Sequence, residues 1–168
     1  TYMMIHPGKK LNFMGNELGE YKEWDEKVAL GWNILKYPIH DSFHKFMIRL
    51  NEVYKTYPCM YEQDYGMDGF EWLVVDDRAQ SVFAIERKGT DGSSLIAVMN
   101  FTGNKHEGYM VPVKQPGSYK EILNSDTDIY TGSNFVNKRA IKAKEGQTLN
   151  KEYYIPVNIA PFGSMIFE

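Results

Sequence analysis

The sequence predicts a mainly β protein in which an antiparallel β-sandwich follows a shorter α/β segment. Three observations predict this fold. After residue 60, short apolar stretches alternate with turn residues at intervals of roughly ten residues. Before that point, one stretch has the apolar spacing of an amphipathic helix. A compact apolar stretch, KKLNFMGN at residues 9–16, comes first and indicates a single buried strand.

The strand predicted at residues 9–16 is followed by helix-like sequence, as in a βα unit. A parallel strand needs parallel neighbours, and each neighbour is reached through a unit of about 30 residues. Only eight residues precede Lys9. We therefore expect residues 1–58 to be the last βα unit of a larger α/β domain, and the chain to be a fragment of a longer protein.

Two helical segments are predicted before residue 58. The weaker one lies between residues 17 and 35 and is interrupted near Gly31. The stronger one is DSFHKFMIRLNEVYKTYP, in which Asp41 or Ser42 is the predicted N-cap and Pro58 the stop. Its apolar side chains at helical spacing are Phe43, Phe46, Met47, Leu50, Val53 and Tyr54.

Eight strands are predicted in the all-β sandwich of residues 59–168. They have alternating or continuous apolar sequence and are separated by turn residues such as Gly92, Gly103 and Gly117. The predicted strands comprise residues 70–76, 81–88, 95–101, 109–113, 119–123, 140–143, 153–157 and 164–168.

Composition and charge exclude several classes of function. A net charge of −3 with interspersed acids and bases provides no basic patch for nucleic acid. The longest apolar runs are far shorter than the roughly 20 residues that span a bilayer, and the first ten residues lack the pattern of a signal peptide. Cys59 is the only cysteine, so no internal disulfide forms, and we expect a cytoplasmic protein with no nucleic-acid or membrane partner.

Five sequence blocks resemble bacterial-type glycogen branching enzymes, which belong to the α-amylase superfamily. The block PGKKLNFMGNELGEYKEWD, with LGW at residues 30–32, resembles their eighth barrel strand and the loop that follows it. DGFEWLVVDDRAQSVFAIER, VMNFTGNKHEGYMVPV, PGSYKEILNSDTDIYTGS and IAPFGSMIFE resemble their C-terminal β-domain. The resemblance extends from about Pro7 to Phe167.

The resemblance implies a Greek-key β-sandwich of the α-amylase C-terminal type, preceded by the last strand and helices of a truncated (β/α)8 barrel. It implies that the full-length enzyme cleaves an α-1,4-glucan, holds the chain covalently on an Asp and transfers it to a glucose 6-hydroxyl. Such retaining chemistry needs two carboxyl groups about 5 Å apart. In the family the catalytic carboxylates lie on the fourth, fifth and seventh barrel strands, outside this sequence. We expect no catalytic residue here and a chain that supports the barrel.

The resemblance also implies a set of substrate-binding residues near the barrel rim: Asn16, Glu17, Glu20, Trp24 and Trp32. The acidic residues could instead stabilise the first turn of a helix. The tryptophans could stack on glucose rings or seal the loop against the barrel. Glu20 replaces the Gln that is usual in the family.

Two alternatives stay open at this point. His40 and His44 lie four residues apart and could pair on a metal, but solvated surface histidines are the better interpretation, and we expect no metal or cofactor. The sandwich could also be a stand-alone glucan-binding module without catalysis. The expected partners are α-glucan chains, glycogen or amylose, and the missing barrel domain, with self-association of the isolated chain.

Overall fold

Two antiparallel sheets face each other in the computed structural model, which describes residues 1–168. The larger sheet has five strands in the order β1-β2-β3-β10-β6, and the smaller has three in the order β4-β9-β8. Strands β5 and β7 form a separate two-stranded ribbon. The strands are β1 Phe70–Asp77, β2 Val82–Lys88, β3 Ser94–Asn100, β4 His106–Val113, β5 Ser118–Tyr119, β6 Glu121–Asn124, β7 Ile141–Lys142, β8 Lys144–Thr148, β9 Lys151–Ile159 and β10 Ser164–Phe167.

The chain leaves the five-stranded sheet after β3, returns to it at β6, leaves it again for β8 and β9, and re-enters it at β10. Strand β10 therefore returns to lie between β3 and β6, which is the non-sequential pairing that a Greek-key connection produces. All strand pairs are antiparallel. The predicted class, a mainly β protein with an antiparallel sandwich, is confirmed.

The helical elements precede the sandwich, apart from one short turn. Helix α1 comprises Tyr2–Ile5 and helix α2 comprises Pro38–Thr56. Neither has the length and apolar character required to cross a bilayer. The 3₁₀ helices are Asn16–Leu18, Trp32–Lys36, Pro58–Met60 and Asp128–Tyr130.

Helix α2 covers the outer face of the five-stranded sheet. Its buried residues Phe46, Leu50 and Val53 join a cluster of thirteen buried residues that includes Ile85 and Leu95 of the sheet. Because side chains alternate along a strand, the neighbouring positions of β2 point into a second cluster between the two sheets. That second cluster includes Val82, Ala84, Ile96, Val98, Val111, Ile155, Val157 and Phe167.

Arg87 on β2 connects the N-terminal residues to the sheet. Its guanidinium is fully buried, donates to the carbonyl oxygens of Ile5 at 3.0 Å and Gly69 at 3.1 Å, and pairs with Asp64 at 2.6 Å. One side chain thereby holds helix α1 and the turn before β1 against the same strand.

The predicted start of α2 is wrong. The helix begins at Pro38 with Tyr37 as the N-cap residue, one turn before the predicted caps Asp41 and Ser42. Proline suits the first helical position because its missing N–H has no partner there in any helix. The predicted stop is confirmed, since the helix ends at Thr56 ahead of Pro58.

Residues 9–16 do not form the predicted strand. Residues 9–13 lie in no regular element, and a turn leads into the 3₁₀ helix Asn16–Leu18. A strand requires a neighbour to pair with, and no described residue provides a parallel one. The weaker helix predicted between residues 17 and 35 is reduced to Asn16–Leu18 and the segment Trp32–Lys36.

All eight predicted strands are present, and two details differ. The single strand predicted at residues 119–123 is divided into β5 and β6. Strand β8, with the sequence KEGQT, has no apolar alternation and was not predicted.

Candidate functional site

The predicted substrate-binding residues lie in one loop, residues 12–37, in front of helix α2. The loop is shaped by two glycines with left-handed backbone, Gly15 at φ 87° and Gly19 at φ 61°. A Cβ on Gly19 would also lie 3.1 Å from the ring of Phe43 on α2. Glycine is therefore required at this turn both for its backbone angle and for the close approach of the helix.

Two histidines of α2 form hydrogen bonds to the backbone of this turn. His40 Nδ1 donates to the carbonyl oxygen of Leu18 at 2.9 Å, and His44 Nδ1 donates to that of Glu17 at 3.2 Å. His40 is only 8% exposed and His44 is half-buried, so the prediction of solvated surface histidines is wrong for His40. Because His40 and His44 lie one helical turn apart, they can hydrogen-bond to two successive carbonyl groups of the loop. Nowhere among residues 1–168 do three or more metal-ligating side chains gather.

The two acidic candidates make contacts within the loop. Glu17 Oε2 accepts a hydrogen bond from Asn12 Nδ2 at 2.8 Å. Glu20 lies between two glycines: a Cβ on Gly31 would be 2.8 Å from Glu20 Oε1, and one on Gly15 would be 3.7 Å from Oε2. The Glu20 carboxylate therefore fills the space that joins the start of the loop to its end.

The two aromatic candidates are each packed on one side and open on the other. Trp24 meets Phe13 edge to face, with ring centroids 5.1 Å apart, and remains 48% exposed. Trp32 meets His44 in the same geometry at 6.1 Å and remains 53% exposed. Asn16 is exposed as well. The structure thus brings Asn16, Trp24 and Trp32 to the surface of the same loop.

Apolar side chains are unusually exposed around this loop. Of the twenty-two large hydrophobic side chains that are exposed in the chain, thirteen lie within residues 1–48. Examples are Leu11 at 73% and Tyr21 at 82%. Concentrated exposure of this kind is typical of surfaces that bind another protein, a membrane or a ligand.

A family model described as the C-terminal all-beta domain of alpha amylase matches residues 72–168. The chain belongs to the family of alpha-amylase C-terminal all-beta domains. The matched residues begin within β1 and run past the end of β10, so the family model covers all but the first two residues of the sandwich. Helix α2 and the loop at residues 12–37 precede it.

Relatives of the whole chain are proteins named 1,4-alpha-glucan branching enzyme GlgB. The chain is 36% identical to the protein of this name from Saccharophagus degradans and 38% identical to the one from Pseudomonas putida. Both alignments cover all 168 residues. The chain is 39% identical to the one from Geobacillus stearothermophilus over 166 residues. The chain spans 23% of the length of the first two relatives and 26% of the third.

This alpha-amylase C-terminal domain also contains buried polar groups that sequence reasoning missed. Glu86 on β2 is 6% exposed, and nearby Glu71 on β1 pairs with Lys88 at 3.0 Å and with Lys151 of the opposite sheet. The sequence does indicate that Glu86 is buried, because it follows Val82 and Ala84 at the spacing of two residues that places side chains on the inward face of β2.

The single thiol of the chain, that of Cys59, lacks the properties of a nucleophile. Cys59 is buried in the cluster under α2, and this burial raises the pKa of its thiol to about 11. A reactive cysteine requires a lowered pKa and access to solvent.

Proposed function

We propose that the chain is the C-terminal part of a 1,4-alpha-glucan branching enzyme. Such an enzyme cleaves an α-1,4-glucan and transfers the chain to a glucose 6-hydroxyl, which makes the α-1,6 branches of glycogen. The observation that carries the proposal is the extent of the likeness, because the branching enzymes match residues before the β-domain as well as the sandwich. A shared sandwich alone would support only the fold.

In this proposal residues 1–58 are the last βα unit of a (β/α)8 barrel, in which residues 9–16 become a strand only beside the other barrel strands. Residues 59–168 are the sandwich that supports the barrel. The packing of α2 on the five-stranded sheet favours a rigid joint between the two parts. The exposed apolar side chains of residues 1–48 favour a barrel that covers them. Deprived of the barrel, the chain is expected to self-associate through this surface.

The chain supplies no catalytic carboxylate in this proposal. A retaining mechanism uses a nucleophile and an acid/base about 5 Å apart on opposite sides of the bond that is cleaved. Glu17 and Glu20 instead lie three residues apart in one loop, where Glu17 accepts a hydrogen bond from Asn12 and Glu20 fills the space beside Gly31. We propose that they shape the loop at the substrate rim, in a cytoplasmic enzyme of glycogen biosynthesis.

Asn16, Trp24 and Trp32 are the proposed contacts to the α-glucan, with Glu17 and Glu20 behind them. The half-exposed rings of Trp24 and Trp32 support stacking on glucose units, because a flat aromatic face suits the apolar face of a sugar ring. The same rings would be well placed to seal the loop against the barrel.

The test uses the complete enzyme, made by joining this chain to a branching-enzyme barrel. Trp24→Ala and Trp32→Ala are each expected to raise the KM for amylose by about 2- to 12-fold, since an aromatic contact contributes about 0.5–1.5 kcal/mol. Tyr65→Ala is the control, because Tyr65 is 85% exposed and lies outside the loop. The isolated chain is expected to form no branches.

Two results would contradict the proposal. Branching of amylose by the isolated 168-residue chain would show that its own carboxylates suffice. A joined enzyme that folds but produces no α-1,6 linkages would show that the likeness to branching enzymes does not extend to activity. Sedimentation of the isolated chain at several concentrations tests the apolar surface, for which a concentration-dependent increase in mass is expected.

A further inference from the structure

A polar cavity of about 560 Å³ opens at one end of the sandwich, away from the loop at residues 12–37. Its walls are the turn between β2 and β3 and the segment between β4 and β5. Tyr119 is the only hydrophobic residue among the twelve that line it, and none of the twelve precedes Gln63. The proposed function makes no use of this cavity.

Glu86 forms one wall of the cavity and lacks a partner for one of its oxygens. The side chain continues the inward face of β2 and is 6% exposed, and its Oε2 atom is buried with no hydrogen-bond partner. Burial raises the pKa of this carboxyl group, against the opposing effects of Ser94 and Lys88. Because Oε2 is itself closed to solvent, a ligand in the cavity can bond this carboxyl group only through its other oxygen, Oε1.

The charges around the cavity favour a neutral ligand. The lining has two acidic residues, Asp68 and Glu86, and two basic residues, Lys88 and Lys114. Because Lys88 also pairs with Glu71 at 3.0 Å, the cavity has no excess of positive charge for an anion. An inorganic anion would meet the Glu86 carboxyl group, and no third ligand completes a metal site there. The rest of the lining is mostly hydroxyl, amide and glycine groups, which suit a ligand that carries many hydroxyl groups.

Tyr119 provides the aromatic surface that such a ligand needs. Its hydroxyl donates to the carbonyl oxygen of Gln115 at 2.9 Å, which fixes the ring on the wall of the cavity. Sugar rings combine apolar C–H faces with hydroxyl edges, so one aromatic ring among polar groups matches both.

We propose that this cavity binds a pyranose unit of an α-glucan chain, with the Glu86 carboxyl group accepting a hydrogen bond from a sugar hydroxyl through Oε1 and Tyr119 contacting the ring. The choice of an α-glucan among pyranose ligands rests on the proposed function. The site is non-catalytic. It would hold the polymer on the sandwich while the barrel acts on another part of the same molecule.

The experiment is a titration of the ¹⁵N-labelled 168-residue chain with maltotriose, followed by amide chemical shifts. We expect saturable shifts at Glu86, Lys88, Thr90, Ser93 and Tyr119. Glu86→Ala should weaken the apparent affinity by about 5- to 10-fold, the loss that one hydrogen bond to a buried group supports. Glu107→Ala is the matched control, because Glu107 is an exposed carboxylate on β4 that pairs with Lys105.

Two further variants distinguish a loss of ligand binding from misfolding. Glu86→Gln keeps an accepting oxygen and a similar shape, and is expected to weaken affinity less than Glu86→Ala does. Tyr119→Leu removes the aromatic ring at the edge of the cavity and should weaken affinity. Because Tyr119 also packs against the cluster between the sheets, leucine keeps an apolar side chain there, and circular dichroism checks that the sandwich stays folded. Unchanged affinity in Glu86→Ala and Tyr119→Leu would overturn the proposal.

Other outcomes would overturn it as well. Absence of shifts up to the solubility limit of maltotriose, or shifts confined to residues near Trp24 and Trp32, would mean that the cavity binds no glucan. Shifts at the cavity with inorganic phosphate but not with maltotriose would assign it to an anion. Each result is independent of the proposed function, since branching by the joined enzyme is assayed separately and loss of branching would leave the maltotriose shifts intact.

Discussion

The loop at residues 12–37 and the sandwich at residues 70–168 are stabilised in different ways. In the sandwich, alternating side chains fill a cluster between the sheets, and ladders of backbone hydrogen bonds fix the register. In the loop, the carbonyl groups of Glu17 and Leu18 are bound by histidines of α2, and Glu20 fills the space beside Gly31.

This difference teaches which region carries its own structural information. The sandwich follows from a repeating pattern within its own sequence, so many positions each contribute part of its stability. The loop depends on a few individual contacts from outside it. Substitutions in the sandwich should therefore change global unfolding, whereas substitutions at the loop contacts should act locally.

Arg87 should show the largest effect, because it joins the N-terminal residues to the sandwich. Arg87→Ala leaves Asp64 buried without its partner and the carbonyl groups of Ile5 and Gly69 without their donor. Breaking a buried ion pair on one side costs about 3–5 kcal/mol. We expect this loss in the free energy of unfolding measured by urea denaturation.

Arg78→Ala is the control for that measurement. Arg78 also pairs with an acidic residue, Asp76 at 2.7 Å, but their side chains are 89% and 72% exposed. An exposed pair contributes little, so the expected change is below about 0.5 kcal/mol. Equal effects of the two substitutions would contradict the role assigned to Arg87.

Leu50 tests whether α2 belongs to the same folding unit as the sandwich. Leu50 is 1% exposed between the helix and the five-stranded sheet, so Leu50→Ala should lower the free energy of unfolding by about 2–4 kcal/mol. Ile48→Ala lies on the same helix at 47% exposure and should cost less than about 1 kcal/mol. A single cooperative transition is expected, and two separate transitions in tryptophan fluorescence and circular dichroism would show that α2 unfolds independently.

The sandwich and α2 could be predicted from the sequence because their patterns are local. Strand β2 alternates between two buried faces, and α2 repeats its apolar residues at helical spacing. The exact start of α2 was missed, because Asp41 and Ser42 are good capping residues but Pro38 fits the first turn one step earlier. Strand β8 was missed because its pairing with β9 determines its conformation.

The loop contacts could not be predicted in this way. Residues 9–16 have the composition of a buried strand, yet a strand exists only beside a partner, and the described residues provide none. Histidine occurs both at the surface and in the interior of proteins, and only the fold brings His40 within hydrogen-bond distance of the carbonyl oxygen of Leu18. The sequence also does not predict that Glu86 Oε2 lacks a hydrogen-bond partner, because this depends on how the strands and turns pack in three dimensions.

His40 should give an intermediate effect confined to the loop. His40→Ala removes the donor to the carbonyl oxygen of Leu18, a residue that is fully buried. An acceptor left unpaired costs about 1–2 kcal/mol, and we expect this as faster hydrogen exchange at the amides of Leu18 and Gly19. His44→Ala, at a longer and more exposed hydrogen bond, should have a smaller effect. Unchanged exchange in both variants would mean that the histidines do not hold the loop.

Glu71 should show the smallest effect, and one that depends on pH. Hydrogen bonding from Lys151 and Lys88 lowers the pKa of this carboxyl group below its usual value of 4.5, although burial opposes the shift. A lowered folded-state pKa stabilises the fold above the unfolded pKa, and that contribution is lost as the pH falls through the folded value.

Glu71→Gln should therefore be less stable than the original chain by about 1 kcal/mol or less at pH 7, since both pairs are partly exposed. The difference should narrow as the pH is lowered from about 5 to 3, because the original chain then loses the same interaction. Urea denaturation at each pH measures this difference in the free energy of unfolding. Lys151→Met removes the partner from the opposite sheet, and its stability difference from the original chain should narrow over the same pH range. A difference that stays constant or widens on acidification would mean that the ion pairs between the two sheets do not stabilise this end of the sandwich.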